Sequence, residues 1–425
     1  MTVPNPWPAP HVPAPVSVRV RLPGSKSLTN RALVLGAISD GPSVVRRALR
    51  SRDTLLMAAA LTGLGSTVDT TGEDWTVTPG PFDRDTIVDC GLAGTVMRFV
   101  PPLAGLSTGR IAFDGDPHMR ERPVGEVLGA LRHLGMDIPT ADRLPFTVEG
   151  TGEVAGGTVV IDASASSQFI SALLLAGARY TRGVDVRHDG KPVPSLPHIE
   201  MTVAMLREHG VDVDDGDANR WRVAPGQVAA LDRLIEPDLS NAAPFLALAA
   251  VTGGTVTVAD WPTATTQAGD RLREILALMG CEIALTEEGL RVSGPDGLLG
   301  VDLDLHDAGE LTPAVAALCS LAGSPSHLRG IGHIRAHETD RLAALARELG
   351  GLGADVTETA DGLSFRPAPL SGGLFHTYAD HRMAHAAVIV GAAVDGVLVE
   401  NVETTAKTFP EFPAYWTAVA SGAPA

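Results

Sequence analysis

The sequence predicts an α/β protein made of six similar units that fall into two domains of three, and two observations support this prediction. A pattern of helix tail, glycine, strand, polar turn and second strand recurs roughly every 70 residues, which is too long a period for a solenoid. In six places a strand, a polar loop and a helix follow one another, and the last of these lacks the hairpin. The length of 425 residues also favours more than one domain.

The repeat is marked by a glycine behind each helix tail. In "LTGLGSTVDTTGEDWTVTPG" this glycine suits a left-handed helix cap, and alternating apolar residues follow it as in a hairpin. The corresponding glycines are Gly65, Gly135, Gly210, Gly280 and Gly353. Between these markers lie second helical stretches such as "SNAAPFLALAAVTG", which are apolar almost all round and are therefore expected to be buried within each unit.

The N-terminal segment 1–15 alternates proline with small residues and is expected to be an extended, disordered tail, not a signal peptide. The strand "VSVRVRL" behind it is expected to supply part of what the sixth unit lacks. Apolar runs are shorter than the about 18 residues that indicate a membrane span, so we expect a cytoplasmic protein without a membrane partner.

Composition excludes several classes of function. The formal net charge of −17 argues against a nucleic-acid surface, which needs a basic stripe, although a local cation cluster can still bind small anions. The three cysteines form no CxxC pair and the 13 histidines show no ligand spacing, so no metal is expected. No dinucleotide-binding pattern is complete, and we expect no cofactor.

Polar residues gather where the apolar helices begin. The stretch "RLPGSKSLTNRA" is the first example, and a helix N-terminus favours anions because its N–H groups are unpaired and its dipole end is positive. Any single member of the set is more simply an N-cap or a solvated charge, but several together indicate an anion site. The set comprises Lys26, Ser27, Arg31, Gly94, Thr95, Arg98, Ser166, Ser167, Gln168, Glu310, Asp380, His381 and Arg382.

Three polar loops add further charged residues. They contribute Arg120 and Arg122 in "GDPHMRERPV", Glu338 and Arg341 in "ETDRL", and Lys407 in "AKTFPEF". Arginine binds carboxylates and phosphates in a bidentate manner, whereas lysine is a mobile point charge and a proton donor. The spacing of Glu338 and Arg341 also fits an ordinary surface helix pair.

Seven motifs in order, "LPGSKSLTNRAL", "LAGTVMRF", "GDPHMRERPV", "SASSQF", "ETDRL", "YADHRMAHA" and "AKTFPEF", together resemble the 5-enolpyruvylshikimate-3-phosphate synthase family. The resemblance covers nearly the whole chain. It implies a two-domain inside-out α/β barrel with six βαβαββ repeats, three per domain, around buried parallel helices. The first domain would comprise residues 1–23 and 237–425 and the second residues 24–236, with the active site in the cleft between them and a monomer as the expected state.

The resemblance also implies the chemistry and the roles of individual residues. The 5-hydroxyl of shikimate 3-phosphate would add to phosphoenolpyruvate, and phosphate would then leave without a metal or cofactor. Glu310 matches the hydroxyl base, and Glu338 and Lys26 match the proton-transfer groups. Shikimate 3-phosphate would be bound by Lys26, Ser27, Arg31, Ser166, Ser167, Gln168, Ser195, Glu310 and His337. Phosphoenolpyruvate would be bound by Lys26, Gly94, Arg122, Gln168, Arg341, Arg382 and Lys407, with Arg98 at the border of the same pocket.

Three positions depart from the family pattern. Glu310 stands where aspartate is frequent, His337 where lysine is frequent, and Leu92 where asparagine is common. None of them removes a group that the chemistry requires. Because Gly94 is kept, we expect glyphosate to compete at the phosphoenolpyruvate site.

Two alternatives remain open at this point. A sister family with the same fold transfers enolpyruvate to UDP-N-acetylglucosamine, but it usually has a reactive cysteine in the loop corresponding to "DGDPHMRERP", where this chain has none. A non-catalytic repeat scaffold that binds an anion is the other alternative. A pure anion binder would gain nothing from carboxylates such as Glu310 and Glu338 among its cations.

Overall fold

The computed structural model describes residues 5–139 and 141–423 and shows a mixed α/β protein. Its helices are α1 (Lys26–Ala37), α2 (Arg52–Leu64), α3 (Gly94–Phe99), α4 (Pro101–Ala104), α5 (Gly125–His133), α6 (Gln168–Gly177), α7 (Pro197–Glu208), α8 (Ala243–Thr252), α9 (Leu272–Leu278), α10 (Thr312–Ser320), α11 (Arg341–Gly351), α12 (His381–Ala393) and α13 (Phe412–Ala420). Short 3₁₀ helices span Met119–Glu121, Ala268–Arg271, His306–Leu311, Gly332–Ala336 and Val402–Lys407.

The strands are short, as expected of many small sheets. They are β1 (Trp7–Pro8), β2 (Ser17–Val20), β3 (Ser43–Arg46), β4 (Thr67–Asp69), β5 (Trp75–Thr78), β6 (Thr86–Asp89), β7 (Arg110–Asp114), β8 (Phe146–Glu149), β9 (Gly157–Ile161), β10 (Val184–His188), β11 (Val213–Asp214), β12 (Arg220–Val223), β13 (Asp232–Leu234), β14 (Thr255–Val258), β15 (Glu282–Thr286), β16 (Gly289–Ser293), β17 (Asp302–Asp304), β18 (Ser326–Arg329), β19 (Asp355–Glu358), β20 (Leu363–Arg366), β21 (Gly373–Phe375) and β22 (Val397–Val399).

The chain divides into two compact units. Unit 1 comprises Met1–Pro23 and Glu236–Ala425, and unit 2 comprises Gly24–Ile235. The second boundary lies one residue before the one expected from the sequence. None of the helices within residues 5–139 and 141–423 has the length and apolar character that a bilayer crossing requires.

Each unit contains three sheets among its described residues. In unit 2 their strand orders are β13-β3-β5-β4, β6-β7-β8 and β11-β12-β10-β9. In unit 1 they are β15-β16-β14-β2, β17-β18-β20-β19 and β1-β22-β21. Every one of these sheets combines one parallel strand pair with antiparallel pairing, for example β9 parallel to β10 and β10 antiparallel to β12.

Three helices form the buried layer of each unit. In unit 1, α8, α10 and α12 contact one another, and in unit 2, α6 contacts both α1 and α3. Their residues are buried almost throughout because they are apolar on all faces, as the sequence predicts. The marker glycines Gly65, Gly135, Gly210, Gly280 and Gly353 all have positive φ angles, which confirms that left-handed turns end these helices.

The expected disorder of segment 1–15 is wrong for its described residues. The strand at Trp7 pairs with β22, and the N–H groups of Ala9 and Val12 donate to the carbonyls of Val397 and Ala392. Trp7 is only 7% exposed and belongs to the core of unit 1. The proline pattern correctly predicts an extended chain. The segment is nevertheless ordered, because apolar side chains between the prolines bury enough surface to hold it against unit 1. Residues 1–4 lie outside the described residues.

The strand that follows this segment also has a different partner from the one expected. β2 pairs in parallel with β14, and the sixth sheet is completed by β1. The whole of unit 2 is therefore inserted between two strands that are neighbours in one sheet of unit 1.

Candidate active site

The first predicted loop of unit 2 places an ammonium group at a helix N-terminus. Ser25 caps α1, its Oγ accepting from the N–H of Leu28, so Lys26 and Ser27 occupy the first turn. Lys26 Nζ lies 3.3 Å from Oδ2 of Asp53, which is only 1% exposed at the start of α2. A buried carboxylate thus holds the lysine head where the helix also presents its unpaired N–H groups.

Arg31 lies deeper than the rest of the predicted set. It is 1% exposed, and its guanidinium donates to Thr202 Oγ1 at 2.7 Å, to Ser171 Oγ at 3.3 Å and to the carbonyl of His198 at 3.0 Å. It also donates to the carbonyl of Ser27 at 3.1 Å. Arg31 therefore ties α1 to α6 and α7 and supports the backbone of the loop that carries Lys26.

A second group of predicted residues in unit 2 surrounds Gly94. A Cβ at Gly94 would lie 2.9 Å from an Nη of Arg122, so the missing side chain is what lets this guanidinium approach the start of α3. Arg98 donates to Gln168 Oε1 at 2.8 Å and to the carbonyl of Pro123 at 3.1 Å. The structure thus brings the starts of α3 and α6 and the loop before α5 together.

Two cations of this group, Arg98 and Arg122, lie close enough to repel each other. Burial and the neighbouring Arg122 both lower the pKa of Arg98, which means that this pair of cations is unfavourable by itself. The Nε of Arg98 has no hydrogen-bond partner among the described residues. A bound anion would offset this repulsion, which is what an anion site requires.

The predicted serines of unit 2 lie near turns. Ser166 Oγ accepts from the N–H of Gln168 at 3.3 Å, and Ser167 is buried directly before α6. Ser195 has a φ of 54°, an uncommon value for a residue with a Cβ, and it lies just before α7. Such backbone strain is frequent at functional positions.

In unit 1, Glu338 is the centre of the charged cluster. Its Oε1 accepts from Lys407 Nζ at 2.5 Å and its Oε2 lies 3.0 Å from Nδ1 of His381 and 3.6 Å from Arg341. Burial alone would raise the pKa of Glu338, but Lys407, His381 and Arg341 together hold this pKa well below its usual range. Glu338 is therefore ionised at neutral pH, in direct contact with the lysine that could exchange a proton with it or with a substrate.

Asp380 contacts both predicted arginines of unit 1, the side chain of Arg341 and the backbone of Arg382. This fully buried carboxylate caps α12 and receives two hydrogen bonds from Arg341, at 2.7 and 3.0 Å. It also accepts from the backbone N–H of Arg382 at 2.9 Å, while the side chain of Arg382 reaches Asn241 Oδ1 at 3.5 Å. One carboxylate thus links the starts of α11 and α12.

Glu310 lies in the 3₁₀ segment before α10. Its Oε1 accepts from Ser240 Oγ at 2.5 Å. Burial lowers the pKa of Arg341, but Asp380, Glu338 and, to a smaller extent, Glu310 raise it. The ring of His333 packs against the neighbouring Gly309, where a Cβ would meet His333 Nε2 at 2.5 Å. Burial lowers the pKa of His333 to about 4, so this ring adds no charge beside the carboxylate at neutral pH.

The geometry also assigns the tautomer of His337. Its Nδ1 lies 3.2 Å from Arg341 Nη1. Because a guanidinium only donates hydrogen bonds, Nδ1 is the acceptor and the proton of the neutral ring is on Nε2. His337 thus belongs to the same hydrogen-bonded network as Arg341 and Asp380.

One group in this cluster has the donor atoms of a metal site. The ligand atoms of Glu338, Asp380 and His381 all lie within 4.8 Å of one another. However, both carboxylates already contact cationic side chains of this chain, Lys407 and Arg341. Like-charge repulsion would oppose a metal cation there, so the cluster is better suited to orienting these cations.

The depressed pKa of Glu338 predicts how stability depends on pH. A carboxylate whose folded pKa is lowered contributes stability above its unfolded pKa near 4.5, and this contribution is lost as the pH falls through the folded value. We therefore expect the unfolding free energy of the wild type to fall more steeply below pH 4.5 than that of Glu338→Gln. Urea unfolding at several pH values measures this difference, and equal slopes for the two proteins would contradict it.

Sequence reasoning missed several residues that the structure places in contact with the predicted ones. Asp53 was overlooked because an acidic residue in the first turn of a helix is an ordinary capping feature. Ser240 and Asn241 precede α8 in "DLSNAAPF", which has the same polar helix start as the other buried helices and could have been included on that ground.

Comparisons with known proteins agree with the sequence reading. A model of the family described as EPSP synthase (3-phosphoshikimate 1-carboxyvinyltransferase) matches residues 10–416. A 3-phosphoshikimate 1-carboxyvinyltransferase from Kocuria rhizophila is 57% identical, and the alignment covers 96% of this chain and 95% of that protein.

Solved structures share the fold at lower sequence identity. An EPSP synthase from Acinetobacter baumannii is 24% identical with a TM-score of 0.80, covering 96% of this chain and 97% of that one. The enolpyruvyl transferase NikO from Streptomyces tendae is 17% identical with a TM-score of 0.75, covering 96% and 95% of the two chains.

Proposed function

This chain belongs to the EPSP synthase family, and from this premise we propose which of its residues bind the substrates and which move protons. Its activity is 3-phosphoshikimate 1-carboxyvinyl transfer in the shikimate pathway to aromatic amino acids. The 5-hydroxyl of shikimate 3-phosphate adds to C2 of phosphoenolpyruvate while C3 is protonated, and phosphate leaves as C3 loses a proton. Residues of both units are proposed to serve this one reaction.

We assign the proton transfers to the carboxylates of unit 1 and to Lys26. Glu310 is the base for the 5-hydroxyl, because it matches the family's base position and because Ser240 Oγ orients its carboxylate through a hydrogen bond of 2.5 Å. Glu338, with Lys407 in direct contact, and Lys26 are the candidates for protonating and deprotonating C3. A carboxylate that stays ionised beside an ammonium is suited to this exchange.

The anions are held by the cationic groups of each unit. Shikimate 3-phosphate is assigned to Lys26, Ser27, Ser166, Ser167, Gln168, Ser195, Glu310 and His337, with Arg31 supporting the loop from below. Phosphoenolpyruvate is assigned to Lys26, Gly94, Arg122, Gln168, Arg341, Arg382 and Lys407. Binding two reactants in fixed orientation would supply much of the rate enhancement.

The observation that carries these assignments is the contact of Glu338 with Lys407, His381 and Arg341. A protein that only binds anions would weaken its site by placing an ionised carboxylate among its cations. An enzyme that must both neutralise phosphate and move a proton needs both kinds of group. The UDP-sugar alternative is not favoured by the 57% identical relative.

The finer architecture is part of the proposal. Six βαβαββ repeats arranged as two inside-out barrels would account for the parallel pair that each sheet contains. We further propose that the protein acts as a cytoplasmic monomer and that glyphosate competes with phosphoenolpyruvate. Sedimentation tests the monomeric state, and cell fractionation tests the cytoplasmic location.

Replacing Gly94 by alanine is expected to raise both the KM for phosphoenolpyruvate and the inhibition constant of glyphosate, by roughly tenfold or more. The reason is that the new methyl group would lie 2.9–3.3 Å from the guanidinium of Arg122 and displace it. Gly129→Ala is the matched control, because a Cβ there would meet no described heavy atom within 4 Å. An unchanged KM for phosphoenolpyruvate in Gly94→Ala would argue against this placement of Gly94 and Arg122.

The proposed function is tested by measuring phosphate release from phosphoenolpyruvate and shikimate 3-phosphate, with EDTA present and with glyphosate added in increasing amounts. Release that requires both substrates, persists in EDTA and decreases with glyphosate is the expected result. Release with UDP-N-acetylglucosamine instead would favour the sister activity. Absence of release with both acceptors would favour a binding scaffold.

A further inference from the structure

The turn directly before α12 has a backbone conformation that its residues do not favour. Tyr378 and Ala379 have φ angles of 54° and 56°, although both residues carry a Cβ. Two consecutive left-handed residues other than glycine are unfavourable because Cβ crowds the following carbonyl. Something in the surrounding structure must therefore hold this turn.

Glu348 on α11 makes two hydrogen bonds to the segment that contains this turn. Its Oε1 accepts from the hydroxyl of Tyr378 at 2.5 Å, and its Oε2 accepts from the backbone N–H of His376 at 2.9 Å. Glu348 is only 4% exposed, so both hydrogen bonds are partly shielded from water at the carboxylate. Burial, together with this carboxylate, raises the pKa of Tyr378, which therefore keeps its proton for the hydrogen bond.

The turn leads directly into residues of the proposed site. Asp380 and Arg382 follow Ala379, and Asp380 binds Arg341 at the start of α11. Arg341 and Glu348 are seven residues apart, which is two helical turns, so they lie on the same face of α11. Helix α11 thus contacts the segment 376–380 at two points, once through each of these side chains.

We propose that Glu348 is a positioning residue that keeps Tyr378 and Ala379 in the left-handed conformation and so aligns Asp380 and Arg382 with Arg341. This inference rests on the proposed function, in which Arg341 and Arg382 bind phosphoenolpyruvate. Glu348 itself is not assigned a contact with a substrate. Its effect on the reaction is through the turn.

The test compares Tyr378→Phe with Tyr378→Phe/Ala379→Gly. Removing the hydroxyl removes its hydrogen bond to Glu348, while the bond from the His376 N–H remains. The turn is therefore loosened, and we expect the KM for phosphoenolpyruvate to rise roughly 5- to 30-fold, with a smaller change in the KM for shikimate 3-phosphate. Glycine adopts positive φ without strain, so the added Ala379→Gly change is expected to restore most of the lost affinity. A residue that only stabilises the fold would not produce this selective loss and rescue.

Glu400→Gln is the matched control, because Glu400 contacts the ring of His376 at 3.1 Å but does not contact Tyr378. It is expected to leave both KM values unchanged. The proposal is overturned if Tyr378→Phe leaves the KM for phosphoenolpyruvate unchanged, if both KM values rise equally, or if Ala379→Gly fails to rescue.

Hydrogen exchange of segment 376–382 in the same proteins provides a measurement that does not depend on activity. Faster exchange in Tyr378→Phe and its reversal by Ala379→Gly are the expected results, and unchanged exchange would overturn the proposal. If the wild type releases no phosphate, the proposed function fails, whereas hydrogen exchange still decides whether the hydrogen bond from Tyr378 to Glu348 holds the turn.

Discussion

Replacing Glu310 by glutamine is expected to lower kcat by roughly 10²- to 10⁴-fold, the usual contribution of a general base. The amide keeps the size of the side chain and can still accept from Ser240 Oγ, which lies 2.5 Å from Glu310 Oε1. What is lost is the capacity to take the proton of the 5-hydroxyl. The measurement is steady-state phosphate release with both substrates at saturation.

Glu310→Asp is the informative companion variant, because the family often has aspartate at this position. It is expected to retain far more activity than Glu310→Gln, since it keeps the carboxylate. A kcat of Glu310→Gln within about tenfold of the wild-type value would mean that Glu310 is not the base, because a general base contributes a larger factor.

Replacing Glu338 by alanine is expected to reduce both activity and stability. The side chain of Glu338 is 17% exposed, and its carboxylate contacts Lys407, His381 and Arg341. The substitution therefore removes a negative charge that directly contacts two cations, Lys407 and Arg341. Removing one partner of a buried ion pair typically costs about 3–5 kcal/mol. We expect a loss of unfolding free energy of this order, together with a loss of kcat of roughly 10²-fold or more.

The control for this prediction is Glu358→Gln. Glu358 pairs with Arg335 at 2.6 Å, but both side chains are about one-third exposed. Such a pair contributes roughly 1 kcal/mol or less, so this variant is expected to resemble the wild type in urea unfolding and in turnover. Absence of phosphate release by the wild type, with ligand binding unchanged in both Glu338→Ala and Glu310→Ala, would instead support the non-catalytic scaffold.

The parts of the site that could be predicted from the sequence are those formed by residues close together along the chain. Lys26 and Ser27 follow a Pro-Gly pair and open a helix, so their position at its N-terminus follows from a few consecutive residues. Gly94 likewise opens α3. The partners of these residues are distant in sequence, as Asp53 is from Lys26, and no local pattern indicates them.

The same limit applies to how deep a side chain lies. Arg31 and Lys26 occur in one motif and were assigned the same role, but Arg31 is enclosed by α6 and α7 whereas Lys26 is at the first turn. The helices that enclose Arg31 come more than a hundred residues later in the chain. A motif therefore identifies which residues belong to a site, but it does not distinguish residues that bind the substrate from residues that support the binding loop.

By itself the sequence determined the α/β class, the glycine-marked repeat and the set of polar helix starts, because each depends on periodicity or on turn chemistry within a short segment. Only the tertiary structure decided that the segment around Trp7 is packed, that β2 pairs with β14 and that Glu338 contacts Lys407. These pairings join residues that are far apart along the chain. They are selected by the free energy of packing and charge neutralisation, which depends on the whole fold and not on any local pattern.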